Sequence, residues 1–324
     1  MPRTIMGYVL RFTGAHQAGL AVLSIAVFLL SAAPLELQRR IVNDLISKGS
    51  ARTIFWLAVA YASVALTEQG LKLTLNVYRA WVAESTVRSL RNTVYEGEVR
   101  AALASPSTLD TGVEIAMILE EAEPIGGFVG ISVSEPLLQG GILLSVVGYM
   151  LFLHPYLALL GIGFFVPQMV FVPLLQHAIN RRARDRILIK REISGAIAEN
   201  GHGESPAASQ TDAIGRVFAL NMGIYWRKYS MNLLMNLMHH MAVAVALCVG
   251  GWLALEGRVE VGTVVAMVGG LGKLNDPWGD LVNWAREFSV VSVKYRLFAE
   301  ATNWLVGAAS PLVEPDLSPV GVQV

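Results

Sequence analysis

The stretch GGLGKLNDP, Gly269 to Pro277, sets a glycine cluster before a Gly-Lys pair, the residue types that cradle nucleotide phosphates. That chemistry needs G-x-x-x-x-G-K-[ST]: backbone N–H groups wrap the phosphates, the lysine reaches them and a hydroxyl binds Mg²⁺. With Gly272 and Lys273 as the pair, the first glycine position falls on Met267 and the hydroxyl position on Leu274. The upstream VGTVVAMV reads as the start of an apolar helix. The stretch is not a phosphate loop, and Lys273 is not an ATP ligand.

Lys273 belongs to a different pattern. With Asp276, Asp280 and Trp284 it forms an i, i+3, i+7, i+11 series inside an apolar run. At 3.6 residues per turn these side chains share one helix face. A charge near a bilayer centre costs about 2.5–3.5 kcal/mol on insertion scales and rarely faces lipid. The face is either the wet wall of a passage or a local Lys–Asp pairing between helices. Glu68 and Lys72, at i and i+4 with Gln69 and Asn76 nearby, pose the same choice. The order Glu before Lys favours an internal ion pair over substrate contact. Glu36 is within reach of Arg39 or Arg40, two arginines that either snorkel to an interface or hold lipid headgroups or an anionic substrate.

Other constellations carry less. His239 and His240 are adjacent, so on a helix they point about 100° apart and do not pair on one metal. Gly126, Gly127 and Gly130 form a small-residue face suited to close helix packing. The run Arg181, Arg182, Arg184, Arg186, Lys190 and Arg191 is a solvated face or a contact for anionic lipid. No Ser/His/Asp set or paired carboxylates in catalytic context occur, so no catalysis, bound cofactor or metal is expected in this chain. Cys248 is the sole cysteine of 324 residues, which excludes an intrachain disulfide.

These residues sit in a chain that is 54% hydrophobic and 15% charged, against about a quarter charged for soluble domains. The 25 basic and 25 acidic residues cancel, which gives no sign of a nucleic-acid partner. Six stretches approach the roughly 20 apolar residues needed to cross a bilayer: 18–37, 54–75, 136–153, 156–175, 233–255 and 261–285. The last is weakest, interrupted by its own charges. Arg3 and Arg11 before an apolar run resemble a signal peptide, but that run reaches spanning length and five more follow. Putting both termini inside leaves Arg39, Arg40, Lys48, Arg52 and Arg258 outside and 18 of the 25 basic residues inside.

The outer loops are short, whereas the inner connections, 76–135 and 176–232, are long. The first opens with YRAWVAESTVRSLRNTVYEGEVRAALA, which lacks proline and keeps Val87, Leu90, Val94 and Val99 at helical spacing. Span two is expected to continue as one helix to about Ala104, with Pro106 as a stop. Span four is expected to extend some 25 residues through QHAINRRARDRILIKREISGAIAEN, roughly 37 Å beyond the membrane. Each connection is then a helical hairpin with a short tip, SPSTLDTG at 105–112 and SPAASQTDAIG at 205–215.

This pattern resembles the transmembrane domain of an ATP-binding cassette exporter. APLELQRRIVNDLI resembles the end of that family's first span, and VRSLRNTVYEGEVRAALASP its first inner arm. TDAIGRVFALN resembles its second coupling region. EGRVEVGTVVAMVGGLGKLNDPWGDL resembles its sixth span, with Gly262, Thr263 and Pro277 at the family's Gly-Thr and Pro positions. The resemblance implies an all-α fold of six long spans over residues 1–302, with two cytoplasmic hairpins tipped by coupling helices. Residues 303–324 read as a linker-like tail. It implies that Leu109, Asp110 and Thr111, and Asp212, Ala213, Ile214 and Gly215, seat a separate ATPase subunit holding ATP and Mg. It further implies a homodimer or a related second transmembrane subunit, a lipid surround and a cell-membrane location of the bacterial inner-membrane type. Glu68, Lys72, Lys273, Asp276, Asp280 and Trp284 are the candidate pathway residues. The alternative is a non-transporting scaffold or regulator built on the same fold.

Overall fold

The computed structural model describes residues 2–104, 122–199 and 208–308, and every regular element among them is helical. In order these are α1 (Ile5–Ser31), α2 (Ala33–Ile46), α3 (Ala51–Ala104), α4 (Ala122–Ile131), α5 (Ser134–Leu153), α6 (Pro155–Gly163), α7 (Val166–Glu199), α8 (Ala208–Leu255) and α9 (Val261–Ala308). An apolar medium offers no water to unpaired N–H and C=O groups, and a helix satisfies them within itself.

Proline sets most of the breaks. Pro34, Pro124, Pro136, Pro155 and Pro167 all fall in the first turn of a helix, where the missing N–H is not needed. At Pro155 the preceding His154 is the N-cap, its ring Nδ1 accepting the Leu157 N–H at 3.3 Å. Two helix breaks fall within expected spans. The first expected span, 18–37, is divided at Ala32, where α1 ends and α2 begins. The fourth, 156–175, is divided between α6 and α7 at Phe164–Phe165, which close with tight i−3 turns before Pro167. Pro173 and Pro277, by contrast, lie inside α7 and α9.

Among the described residues, five stretches are long and apolar enough to cross a membrane: Ile5–Ile46, Ala51–Glu96, Ala122–Leu153, Pro155–Lys190 and Thr211–Leu255. α9 has the length, with 48 residues, but Lys273, Asp276 and Asp280 dilute its apolar start. Span two does continue as one helix to Ala104, and span four's extension runs to Glu199. α9 passes the expected 302/303 boundary and runs to Ala308. The turn between α8 and α9 needs Gly257, whose φ of +70° disfavours a side chain.

The helices contribute to two packed units. The first takes the described residues of Met1–Pro34, Tyr61–Ser145 and Asp276–Val324; its core includes Leu20, Leu75, Leu90, Phe128 and Phe298. α4 meets α3 there through Gly126 and Gly130: a Cβ on Gly126 would strike Val87, and one on Gly130 would lie 2.5 Å from the Arg79 carbonyl oxygen. Gly127 has open space instead, so it is not part of the packing face read from the sequence. The second unit takes Leu35–Ala60 and Val146–Asn275, with Leu35, Met150, Leu157, Met267 and Leu271 in its core.

Candidate functional site

In the first unit, a polar network links α3, α5 and α9. The Arg79 guanidinium, almost wholly buried, donates to the Ser134 hydroxyl at 2.8 Å and to the Glu135 carboxylate. Gln139 uses its side-chain N–H groups on two carboxylates, Glu135 at 2.8 Å and Asp280 at 3.0 Å. One arginine thus serves a cluster with two acids, and Gln139 spaces the acids apart. Asp280 is half-buried and Asp276, one turn earlier, is exposed. Buried charges of this kind require partners, because desolvation costs several kcal/mol per ion.

The same unit holds Glu68 and Lys72. The Lys72 ammonium lies 2.7 Å from the Glu68 carboxylate, which is buried. This is the internal ion pair that their order along the helix favours. Trp284 stacks on Phe288 at 5.7 Å and lies 6.3 Å from the fully buried Phe128. Lys273 belongs to the second unit and is half-buried. Of the four residues on the α9 face, then, Asp280 joins the α3–α5 network, Trp284 joins an aromatic stack, and Asp276 is exposed.

The second unit carries a clasp between α2, α5 and the start of α9. Glu36 accepts from Arg39 at 2.9 and 3.0 Å, from Arg40 at 2.6 Å and from the Tyr149 hydroxyl at 2.7 Å. Arg39 also reaches Glu260 at 2.8 Å. Both arginines are therefore ion-paired, which accounts for their tolerance on the expected outer side. Asn43 closes the clasp: its N–H donates to Glu260 at 2.6 Å, and its side-chain oxygen accepts the Gly262 N–H at 2.8 Å. It caps the first turn of α9 from another helix. Gly262 must stay glycine, because a Cβ would strike the Arg39 carbonyl and Asn43. Replacing Asn43 with alanine should destabilise by about 1–2 kcal/mol, as for a lost N-cap. A thermal midpoint unchanged in detergent would contradict this role.

Sequence reading missed Arg79, Glu135, Gln139, Tyr149, Asn43 and Glu260. Apart from Glu135–Gln139, one turn apart, their pairings join residues far apart in the chain, which helical spacing does not reveal. A basic residue and an acidic one at the ends of neighbouring apolar runs was the available signal. Of the coupling residues, Leu109, Asp110 and Thr111 lie outside the described residues. Asp212, Ala213, Ile214 and Gly215 lie in the first two turns of α8, with Asp212 ion-paired to Arg216 at 3.2 Å. They thus begin a long helix rather than form a separate short one. On α7 and α8 the basic run is partly engaged, Arg186 with Asn221 at 3.1 Å and Arg182 over Gly223. His239 and His240 sit with ring centres 5.5 Å apart, and no group of three or more metal-ligating side chains occurs among the described residues.

The family described as the ABC transporter transmembrane region matches residues 18–200, from the first apolar run to the end of α7. No curated protein matches the chain. The match spans more than half of the 324 residues, and it covers α3 and α7, of 54 and 34 residues. The chain belongs to the ABC transporter transmembrane region family, a multi-pass membrane region that serves transport, is not itself the catalyst, and as a class partners a nucleotide-binding subunit.

Proposed function

We propose that this chain, paired with a second copy or a related subunit, encloses a translocation pathway and exports an amphiphilic substrate. Energy comes from a separate ATPase subunit that binds ATP and Mg. The observation that carries this reading is the family match combined with helix length. α3 has 54 residues and α8 has 48, about 81 and 72 Å, against roughly 40–45 Å for a whole bilayer. Such rods transmit a displacement at one end to the other. With 18 of 25 basic residues on one side, the long ends face the cytoplasm with both termini.

The ATPase seats on the segment around Leu109–Thr111 and on the first turns of α8. There Ile214 is exposed while Ala213 is buried. Ile214→Asp should cut retention of the co-purified ATPase at least tenfold, about 1.4 kcal/mol, and abolish ATP-driven transport. Retention and transport both unchanged would sink the coupling claim. An ATPase that binds the native chain without driving any transport would favour the scaffold reading.

A further inference from the structure

The first unit contains a cleft that the network and the clasp do not use. Its lining residues alternate at i, i+4 and i+8 on two helices: Tyr8, Phe12 and His16 on α1, and Trp81, Ser85 and Ser89 on α3. The helices run antiparallel here. Tyr8 and Ser89 line one end, and His16 meets Tyr78 at 2.9 Å and the Trp81 ring at 5.1 Å at the other. That register sets Phe12 opposite Ser85. A serine is too small to fill its half of the groove, and a cavity of about 180 Å³ results. For scale, an apolar cavity of about 150 Å³ accepts benzene.

The lining is largely apolar, and a cation, Arg11, stands beside its exposed Phe12 wall. Tyr8, Val82 and Thr86 are buried, while the Phe12 and Trp81 rings stand exposed as walls. The Thr13 and Thr86 hydroxyls are bonded to carbonyls one turn back on their own helices, so they offer little to a guest. The exposed Arg11 guanidinium lies 6.0 Å from the Phe12 ring centre. The α1 segment itself carries Arg3 and Arg11 and no acidic residue before Glu36. On the α3 side Glu84 is outnumbered by Arg88 and Arg91. Both segments flank expected spans at one membrane face, where Trp and Tyr favour the headgroup level.

We propose that this cleft binds an anionic phospholipid, its acyl chain against Phe12, Val82 and Trp81 and its phosphate at Arg11. The assignment rests on the chain being a multi-pass membrane protein and not on export, coupling or the identity of a substrate. A neutral lipid would gain the apolar contacts but not the arginine. One basic residue near a membrane surface contributes about fivefold in affinity for anionic lipid.

The test titrates short-chain phosphatidylglycerol and phosphatidylcholine into the detergent-solubilised chain and follows the thermal midpoint, which rises when a ligand binds only the folded state. Phosphatidylglycerol should raise it saturably, with half-saturation at least fivefold below that of phosphatidylcholine. Ser85→Phe, which fills the cavity, should remove the phosphatidylglycerol response. Arg11→Gln, which leaves the cavity intact, should make the two lipids equivalent. Equal responses of the native chain to both lipids, or no response to either, would overturn the proposal. So would a phosphatidylglycerol preference that survives either substitution. Should Ser85→Phe fail to fold, Arg11→Gln alone decides. None of these readouts depends on an ATPase, so a failure here leaves the transport reading standing, and the reverse.

Discussion

Replacing Arg79 with alanine is expected to cost about 3–5 kcal/mol, the penalty for removing one partner of a buried pair. The guanidinium holds Ser134 and Glu135, and its side chain is 9% exposed against 16% for Glu135. Without it, Glu135 and Asp280 remain linked only by Gln139, two carboxylates with no cation in their network. The fall should appear as a lowered thermal midpoint in detergent and as poor membrane yield. The double change Arg79→Gln with Glu135→Gln removes both charges of the pair. It should recover most of the loss, since a neutral pair of similar shape escapes desolvation of either ion. A single variant as stable as the native chain would show that the network does not hold α3 to α5.

The second large effect is steric. A Cβ at position 130 would sit 2.5 Å from the Arg79 carbonyl oxygen, and backbone of a continuous helix has little room to yield. Gly130→Val should therefore separate α4 from α3 and cost about 3 kcal/mol or more, the upper range of overpacking. Gly127→Ala is the control. Position 127 meets nothing within 4 Å, and alanine is the better helix former by about 1 kcal/mol, so stability should hold or rise. If both variants unfold at the native temperature, the close approach through Gly126 and Gly130 is not real.

How much of this was readable beforehand depended on whether the information was local. The continuation of span two to Ala104 and of span four to Glu199 followed from apolar spacing and the lack of proline, and the structure keeps both. The Glu68–Lys72 pair was also local, one turn apart on one helix. Breaks at Pro34 and Pro167 were less readable. A proline near a run's middle permits either continuation of the helix, as at Pro173 and Pro277, or a restart, and packing decides which. Arg79 with Glu135, and Asn43 with Gly262, were out of reach. They are 56 and 219 residues apart, and no spacing rule brings them together. The cleft beside Ser85 was hidden for the same reason. It depends on which residue of α1 meets which residue of α3, and Ser85 by itself is an unremarkable position on a long helix.

The central claim is that ATP bound elsewhere reshapes a passage built from this chain. It can be tested without knowing the substrate. Asp276, exposed on α9, is replaced by cysteine in a Cys248→Ser background, Cys248 being the natural cysteine. Vesicles carrying the chain and its ATPase are then treated with a membrane-impermeant maleimide, with and without ATP. The account predicts a labelling rate at position 276 that changes severalfold with ATP and ceases to change once Ile214→Asp is added. A rate indifferent to ATP, with the ATPase bound and turning over, would contradict it.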